Sequence, residues 1–261
     1  MSRRTYNVLK VVLEIVTPIA IVAIWQAWAM HADNQQFPPP WTILKEFQRL
    51  WLFRDFGTHV VPSLERIGLG LVIAVAVGIA LGIPLGLSRW ARLWAIPHIE
   101  YWRAIPPPAL LPISVVVLHS IGNVQKIAFI AFFCLFPVLL NTIDGTRGLD
   151  PTLVETARSY GLGRFERIRR IVLPAALPQI VAGIRNSVAL AVIMMVLSEF
   201  FASTSGVGYV LLISKNTYSF NPMWATILLI GVLGYLLNVL FLLFERRVLA
   251  WHRGWRATAP A

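Results

Sequence analysis

The sequence predicts an all-α membrane protein, with six spanning helices and a pair of short helices held on one face of the bilayer. Three observations carry that expectation. Apolar residues make up 57% of the 261 and charged ones only 13%, against roughly 45–50% and 25% in ordinary soluble domains, and such an excess needs lipid to cover it. The apolar residues are gathered into runs near the ~20 residues that a spanning helix requires. The basic residues collect at alternate ends of those runs, as they do where one face of a membrane protein is cytoplasmic. The formal net charge is +11, from nineteen arginines and four lysines. Cys134 stands alone inside an apolar run, so this chain offers neither an internal disulfide nor a cysteine metal site, and the thiol is expected to be a packing group.

The first span is read over residues 8–30, after Arg3 and Arg4. Ala27-Trp28-Ala29 mimics a signal cleavage site, but the run exceeds the 7–15 apolar residues of a signal core, and Trp25 and Trp28 suit an interfacial belt. Phe37-Pro38-Pro39-Pro40 then breaks the helix, because proline lacks the amide donor and blocks the preceding turn. Ile43, Leu44, Phe47, Leu50 and Trp51 recur at helical spacing opposite Lys45, Glu46, Gln48 and Arg49. That pattern predicts an amphipathic helix lying on the membrane or against a neighbouring span.

The second span is read over residues 60–87. Gly78, Gly82 and Gly86 recur every four residues on one face, which predicts close approach of another helix, and Pro84 is expected to bend it. Arg66, with Glu65 beside it, is expected to reach toward the headgroups. Arg89, Arg92 and Arg103 punctuate the next connection, and Ile105-Pro106-Pro107-Pro108 predicts that the third span, residues 105–118, is short or broken. The fourth follows over residues 124–143, the fifth over 177–201 and the sixth over 224–244.

Counting basic residues tests this topology. The segments placed in the cytoplasm hold 16 of the 23 lysines and arginines, the outer segments five, and Arg66 and Arg185 fall within spans. This asymmetry predicts that both termini are cytoplasmic. It also argues against a nucleic-acid surface, which would gather its arginines in one stripe with stacking aromatics.

Residues 151–172 are too charged to span. Asp150-Pro151 is a favoured helix start, with an aspartate cap and proline in the first turn. Two short helices are expected over 151–160 and 164–172, bent at Gly161, where a residue without a side chain can take positive φ. Leu153, Val154, Ala157, Phe165, Ile168 and Val172 would seat the pair, leaving Arg158, Arg164, Arg167 and Arg169 or Arg170 exposed. The bland reading of the same pattern is an interfacial loop whose arginines bind anionic lipid.

Glu155-Thr156-Ala157, then Gly161, then Ile171-Val172-Leu173-Pro174 resembles the signature of the inner-membrane permease subunits of ATP-binding-cassette importers, departing where Thr156 replaces the usual alanine. Phe37-Pro38-Pro39-Pro40, the run from Arg103 to Pro112, Leu173-Pro174-Ala175-Ala176-Leu177-Pro178 and Ser205-Gly206-Val207-Gly208 resemble the nitrate, sulfonate and taurine branch. Ile213 to Tyr218 departs from it. The resemblance implies a type I importer fold in the bacterial plasma membrane. It implies a second permease copy, two ATPase subunits using ATP and Mg, and an extracytoplasmic binding protein that delivers a small anion. Within this chain it implies that Glu155, Thr156, Ala157, Arg158, Gly161, Arg164, Phe165 and Arg167 couple the permease to the ATPase.

The chain itself is expected to bind no cofactor. A P-loop needs Gly-Lys followed by Ser or Thr, and none of the four lysines follows a glycine. A metal centre or membrane enzyme would need clustered His, Asp or Glu, whereas His31, His59, His98, His119 and His252 are scattered singly. A secondary transporter or channel remains the alternative; it would usually show internal repeats or mid-span charge pairs. For the path, Asn186, Ser198, Glu199 and Asn238 are polar groups at lipid depth, costly unless they face protein or water. Structural hydrogen bonding would explain each about as well, and a glutamate suits a gate or a packing role better than contact with an anion.

Overall fold

The computed structural model describes residues 3–251 apart from Asp33 and Phe53, with side chains described from Leu13 onward except that of Pro151. The side chains of Arg3, Arg4 and Lys10, and residues His252, Arg253 and Arg256, lie outside that description. All regular structure among the described residues is helical.

Helix α1 (Arg3–Ala32) carries an apolar spanning stretch, Leu13–Ala32. Its C-terminal end is held by Trp25 against Trp224, ring centroids 5.3 Å apart, and by Trp28 against Phe37. Helix α2 (Pro40–Phe47) starts on the proline run and continues through a π turn, Gln48–Leu52. Its apolar side, Ile43, Leu50 and Trp51, is buried, and Leu50 and Trp51 share a cluster with Val60, Val207, Leu229 and Leu233. The amphipathic segment therefore packs on a neighbouring span.

The core is built on three long helices. Helix α3 (Val61–Leu87) and α6 (Asn123–Arg147) pack along their length, and α9 (Leu173–Phe200) packs against α6. Gly78, Gly82 and Gly86 do face another helix. A Cβ on Gly78 would stand 2.8 Å from Val138 Cγ1, one on Gly82 would stand 2.5 Å from Thr142 Cβ, and one on Gly86 would strike Thr146 Oγ1. Thr142 and Thr146 turn their hydroxyls back onto Val138 O and Thr142 O, at 2.7 and 2.8 Å, so polar groups inside the interface are satisfied. On the other seam, Ser187 Oγ donates to Cys134 O at 2.7 Å, and Cys134 is fully buried as a packing residue.

Between α3 and α6 the structure departs from expectation. Residues 89–104 form helix α4 (Arg89–Ala104), because the Ser88 hydroxyl caps it by accepting from Ala91 N. Helix α5 (Pro107–Leu118) follows at an angle of 102°. The break falls at Ile105, held extended by the following proline. Among the described residues five helices are long and apolar enough to cross a membrane, and six if this bent pair counts as one span.

Helix α7 (Pro151–Ser159) is the first helix of the expected pair, and α8 (Arg164–Arg167) begins the second. The second is not separate. It runs through a π turn, Ile168–Val172, directly into α9, so Arg164–Phe200 is one rod of 37 residues. Leu173 N–H reaches back to Ile168 O in the wider turn, which moves aside the carbonyl that the Pro174 ring would otherwise strike. Helices α10 (Val207–Asn216) and α11 (Phe220–Val248) follow.

Candidate functional site

Between α6 and α9, Asp150 caps α7 by accepting from Thr152 N at 2.9 Å. That backbone donor, then the Thr152 side chain, holds the Asp150 carboxyl below the usual carboxylate range. The far end of α7 closes on Gly161 at φ 74°, with Leu162 N donating to Ala157 O and Gly161 N to Arg158 O. These two bonds form a Schellman turn, satisfying carbonyls that a helix end leaves open. The seat is narrower than the sequence suggested. Ala157 and Val172 are buried and Val154 and Ile168 half-buried, but Leu153 is exposed and Phe165 is 77% exposed. Because α8 is the tip of a rod rising out of the bundle, its first turn stands clear of it.

The exposed surface of the turn thus combines Leu153, Tyr160 and Phe165 with Glu155, Thr156, Arg158 and Arg164, while Arg167 is half-buried. Glu166 and Arg170 pair at 3.0 Å on the surface, a contact of small worth in water. A rigid, capped projection that leaves an aromatic ring in water is suited to seating in another protein.

At the opposite end of the bundle, where α9 finishes, the structure assembles a site that the sequence reading missed. Arg66 is buried and turns inward, correcting the expectation that it reaches for headgroups. Its Nη1 donates to Glu199 Oε1 at 2.5 Å, Nε and Nη2 reach Asn123 Oδ1 at 3.0 and 2.8 Å, and Nη1 and Nη2 reach Ser205 O and Oγ, both at 3.0 Å. Glu199 also accepts from Ser63 Oγ at 2.7 Å and Gly208 N at 2.8 Å. Ser63 Oγ in turn accepts from Val207 N, and His59 Nδ1 from Gly206 N. Gly206 sits at φ 120°, and a Cβ there would strike the Glu199 carboxylate. The Ser205-Gly206-Val207-Gly208 run is therefore the loop that wraps a buried ion pair, tying α3, α6, α9 and α10 together. Its one sequence signal was a pair of opposite charges, Arg66 and Glu199, each too costly in lipid to stand alone.

The four polar residues singled out for the path are not brought together. Ser198 and Glu199 have no exposed surface, Ser198 donating to Met195 O at 2.9 Å. Asn186 and Asn238 are exposed on α9 and α11. Among the described residues no three His, Cys, Asp or Glu side chains approach closely enough to hold a metal.

The family described as the binding-protein-dependent transport system inner membrane component matches residues 74–250. The chain is 32% identical to the aliphatic sulfonates transport permease protein SsuC of Bacillus subtilis, over 97% of this chain and 91% of that protein. It is 34% identical to SsuC of Escherichia coli K12, over 90% of each. Among solved structures, the inward-facing MetNI methionine ABC transporter superposes with a TM-score of 0.63 at 18% identity, over 72% of this chain and 94% of that one. The likeness to MetNI carries the fold alone, and the sequence relatives carry the family in place of a secondary transporter or channel. The chain belongs to the inner-membrane component family of binding-protein-dependent transport systems, the permease subunits of ATP-binding-cassette importers.

Proposed function

We propose that two copies of this chain form the path by which a small sulfonate-like anion, delivered by an extracytoplasmic binding protein, crosses the bacterial inner membrane. Two separate ATPase subunits, using ATP and Mg, drive the crossing, and both termini of the permease lie in the cytoplasm. The anion class rests on relatives named for aliphatic sulfonates and on the motifs shared with the nitrate, sulfonate and taurine branch. Coupling runs through residues 151–172. ATP binding shifts the assembly only by its differential affinity for the closed ATPase pair, and that closure moves the α7–α8 turn as a rigid unit.

The observation that carries this reading is the exposed Phe165 at the tip of a rod that continues into the fifth span. An aromatic anchor of this kind, seated in a partner's pocket, is typical of residues whose truncation costs ~2 kcal/mol or more of binding. The test is uptake of labelled taurine, an alkanesulfonate, nitrate and an aromatic carboxylate by a deletion strain expressing the chain or its Phe165→Ala form. Sulfonate uptake that falls with Phe165→Ala, together with loss of co-purifying ATPase, supports the reading. Full uptake with the ATPase still bound rejects the coupling surface, and uptake confined to the carboxylate or to nitrate rejects the substrate class.

A further inference from the structure

Where α3 ends, α4 begins and α7 folds back, the chain forms a cavity of about 330 Å³. Four arginines line it, Arg89 and Arg92 from α4, Arg147 from the end of α6 and Arg158 from α7, against a single carboxylate, that of Glu155. Arg92 Nη1 donates to Gly86 O at 2.8 Å, satisfying a carbonyl at the end of α3. Among the described residues, Arg89, Arg147 and Arg158 have no hydrogen bond or ion pair through their guanidiniums. Three of these four cations, Arg89, Arg147 and Arg158, are exposed and unpartnered at the mouth of the recess, and like charges gathered on one surface disfavour one another unless an anion joins them. Helix α4 also points its capped N-terminus toward the same recess, adding positive potential.

We propose that this recess is a phosphate site, filled by the headgroup of an anionic phospholipid of the inner leaflet. Guanidinium forks match the oxygens of a phosphate in geometry as well as charge. The lipid source follows from the neighbours. On the same turns of α4 as Arg89 and Arg92, Trp90 and Trp94 are 83% and 72% exposed, with Leu93 exposed between them. Tryptophan prefers the headgroup level of a bilayer, so α4 lies where acyl chains begin and where a headgroup can enter beside Leu87. Because Arg147 ends a core helix and Arg158 belongs to α7, an occupied recess braces the cytoplasmic turn against the bundle. The site does not depend on which solute is carried.

The test uses the full-length chain purified in mild detergent from vesicles of phosphatidylcholine with phosphatidylglycerol, with retained lipid counted by native mass spectrometry. The chain is expected to keep phosphatidylglycerol over phosphatidylcholine, and Arg89→Gln with Arg147→Gln to lower that retention at least tenfold. The charge-keeping pair Arg89→Lys with Arg147→Lys should hold an intermediate amount, which separates loss of the site from loss of fold. A rise in thermal stability on adding inorganic phosphate, without lipid retention, keeps the phosphate site and assigns it to a soluble ligand. Equal retention by the glutamine pair with no response to phosphate overturns the proposal. So does release of the lipid on adding the ATPase, which would make these arginines a protein-docking surface.

Discussion

Arg66 and Glu199, 133 residues apart in the sequence, meet at 2.5 Å with 4% and 0% of their side chains exposed. Burying two charges this way is costly unless every remaining donor and acceptor is met. Here they are met by Asn123, Ser63, Ser205 and the Gly208 amide. With Asn123, the pair is a fastening between the starts of α3 and α6 and the end of α9.

Breaking one side of that fastening leaves an uncompensated buried charge. Arg66→Leu and Glu199→Leu are each expected to cost ~3–5 kcal/mol, read as a lower thermal midpoint in detergent. The double Arg66→Leu/Glu199→Leu variant should lose much less than the two single losses combined. A double-mutant cycle with no coupling would show that the pair contributes nothing specific.

The α3–α6 seam tolerates no added methyl. Gly82→Ala should force Thr142 aside and cost ~1–3 kcal/mol, with Gly86→Ala at least as severe. On α11, Gly231 and Gly234 have no neighbour within 4 Å of an added Cβ, so alanine there should leave the midpoint unchanged or slightly raised. Equal effects at the two sets of positions would contradict the packing described.

Gly161→Val places a β-branched residue at φ 74°, a conformation that costs L-residues roughly 1–2 kcal/mol. Transport should be lost while the protein still reaches the membrane at normal abundance. Gly163→Ala, at φ −61° with open space around it, should transport normally. Substrate uptake and membrane immunoblots, measured side by side, decide between these outcomes.

Asp150 contributes its cap as the charged form. Its carboxyl titrates below the usual range because Thr152 N–H donates to it. The stabilisation is therefore complete above the ordinary carboxylate pKa and is lost as pH falls through the lowered value. The protection of the Thr152 amide, its exchange rate compared with the intrinsic rate at each pH, should fall on acidification. In Asp150→Asn, which keeps the acceptor without the titration, it should show a weaker pH dependence.

The spans and the glycine face were legible because both express periodicity, which needs no knowledge of distant residues. Residues 89–104 read as a connection because Arg89, Arg92 and Arg103 interrupt the apolar run; the better signal was Ser88 ahead of exposed tryptophans at helical spacing. The second short helix was expected to end at residue 172, and a π turn at Ile168–Val172, invisible in composition, instead carries it past Pro174 into the fifth span. Arg66 misled because an arginine at a span's end looks the same whether it points to lipid or inward. Its partner lies on another helix, and nothing local names it.

The unbroken helix from Arg164 to Phe200, 37 residues and about 55 Å long at 1.5 Å per residue, has Phe165 at one tip and Glu199 at the other. It is a pushrod through the bilayer. Any displacement imposed on the Phe165 tip loads the Arg66–Glu199 fastening directly, except for what the π turn at Ile168–Val172 absorbs. Mechanical coupling between the two faces of this protein therefore needs no relay of side chains, because both stations are on a single piece of backbone.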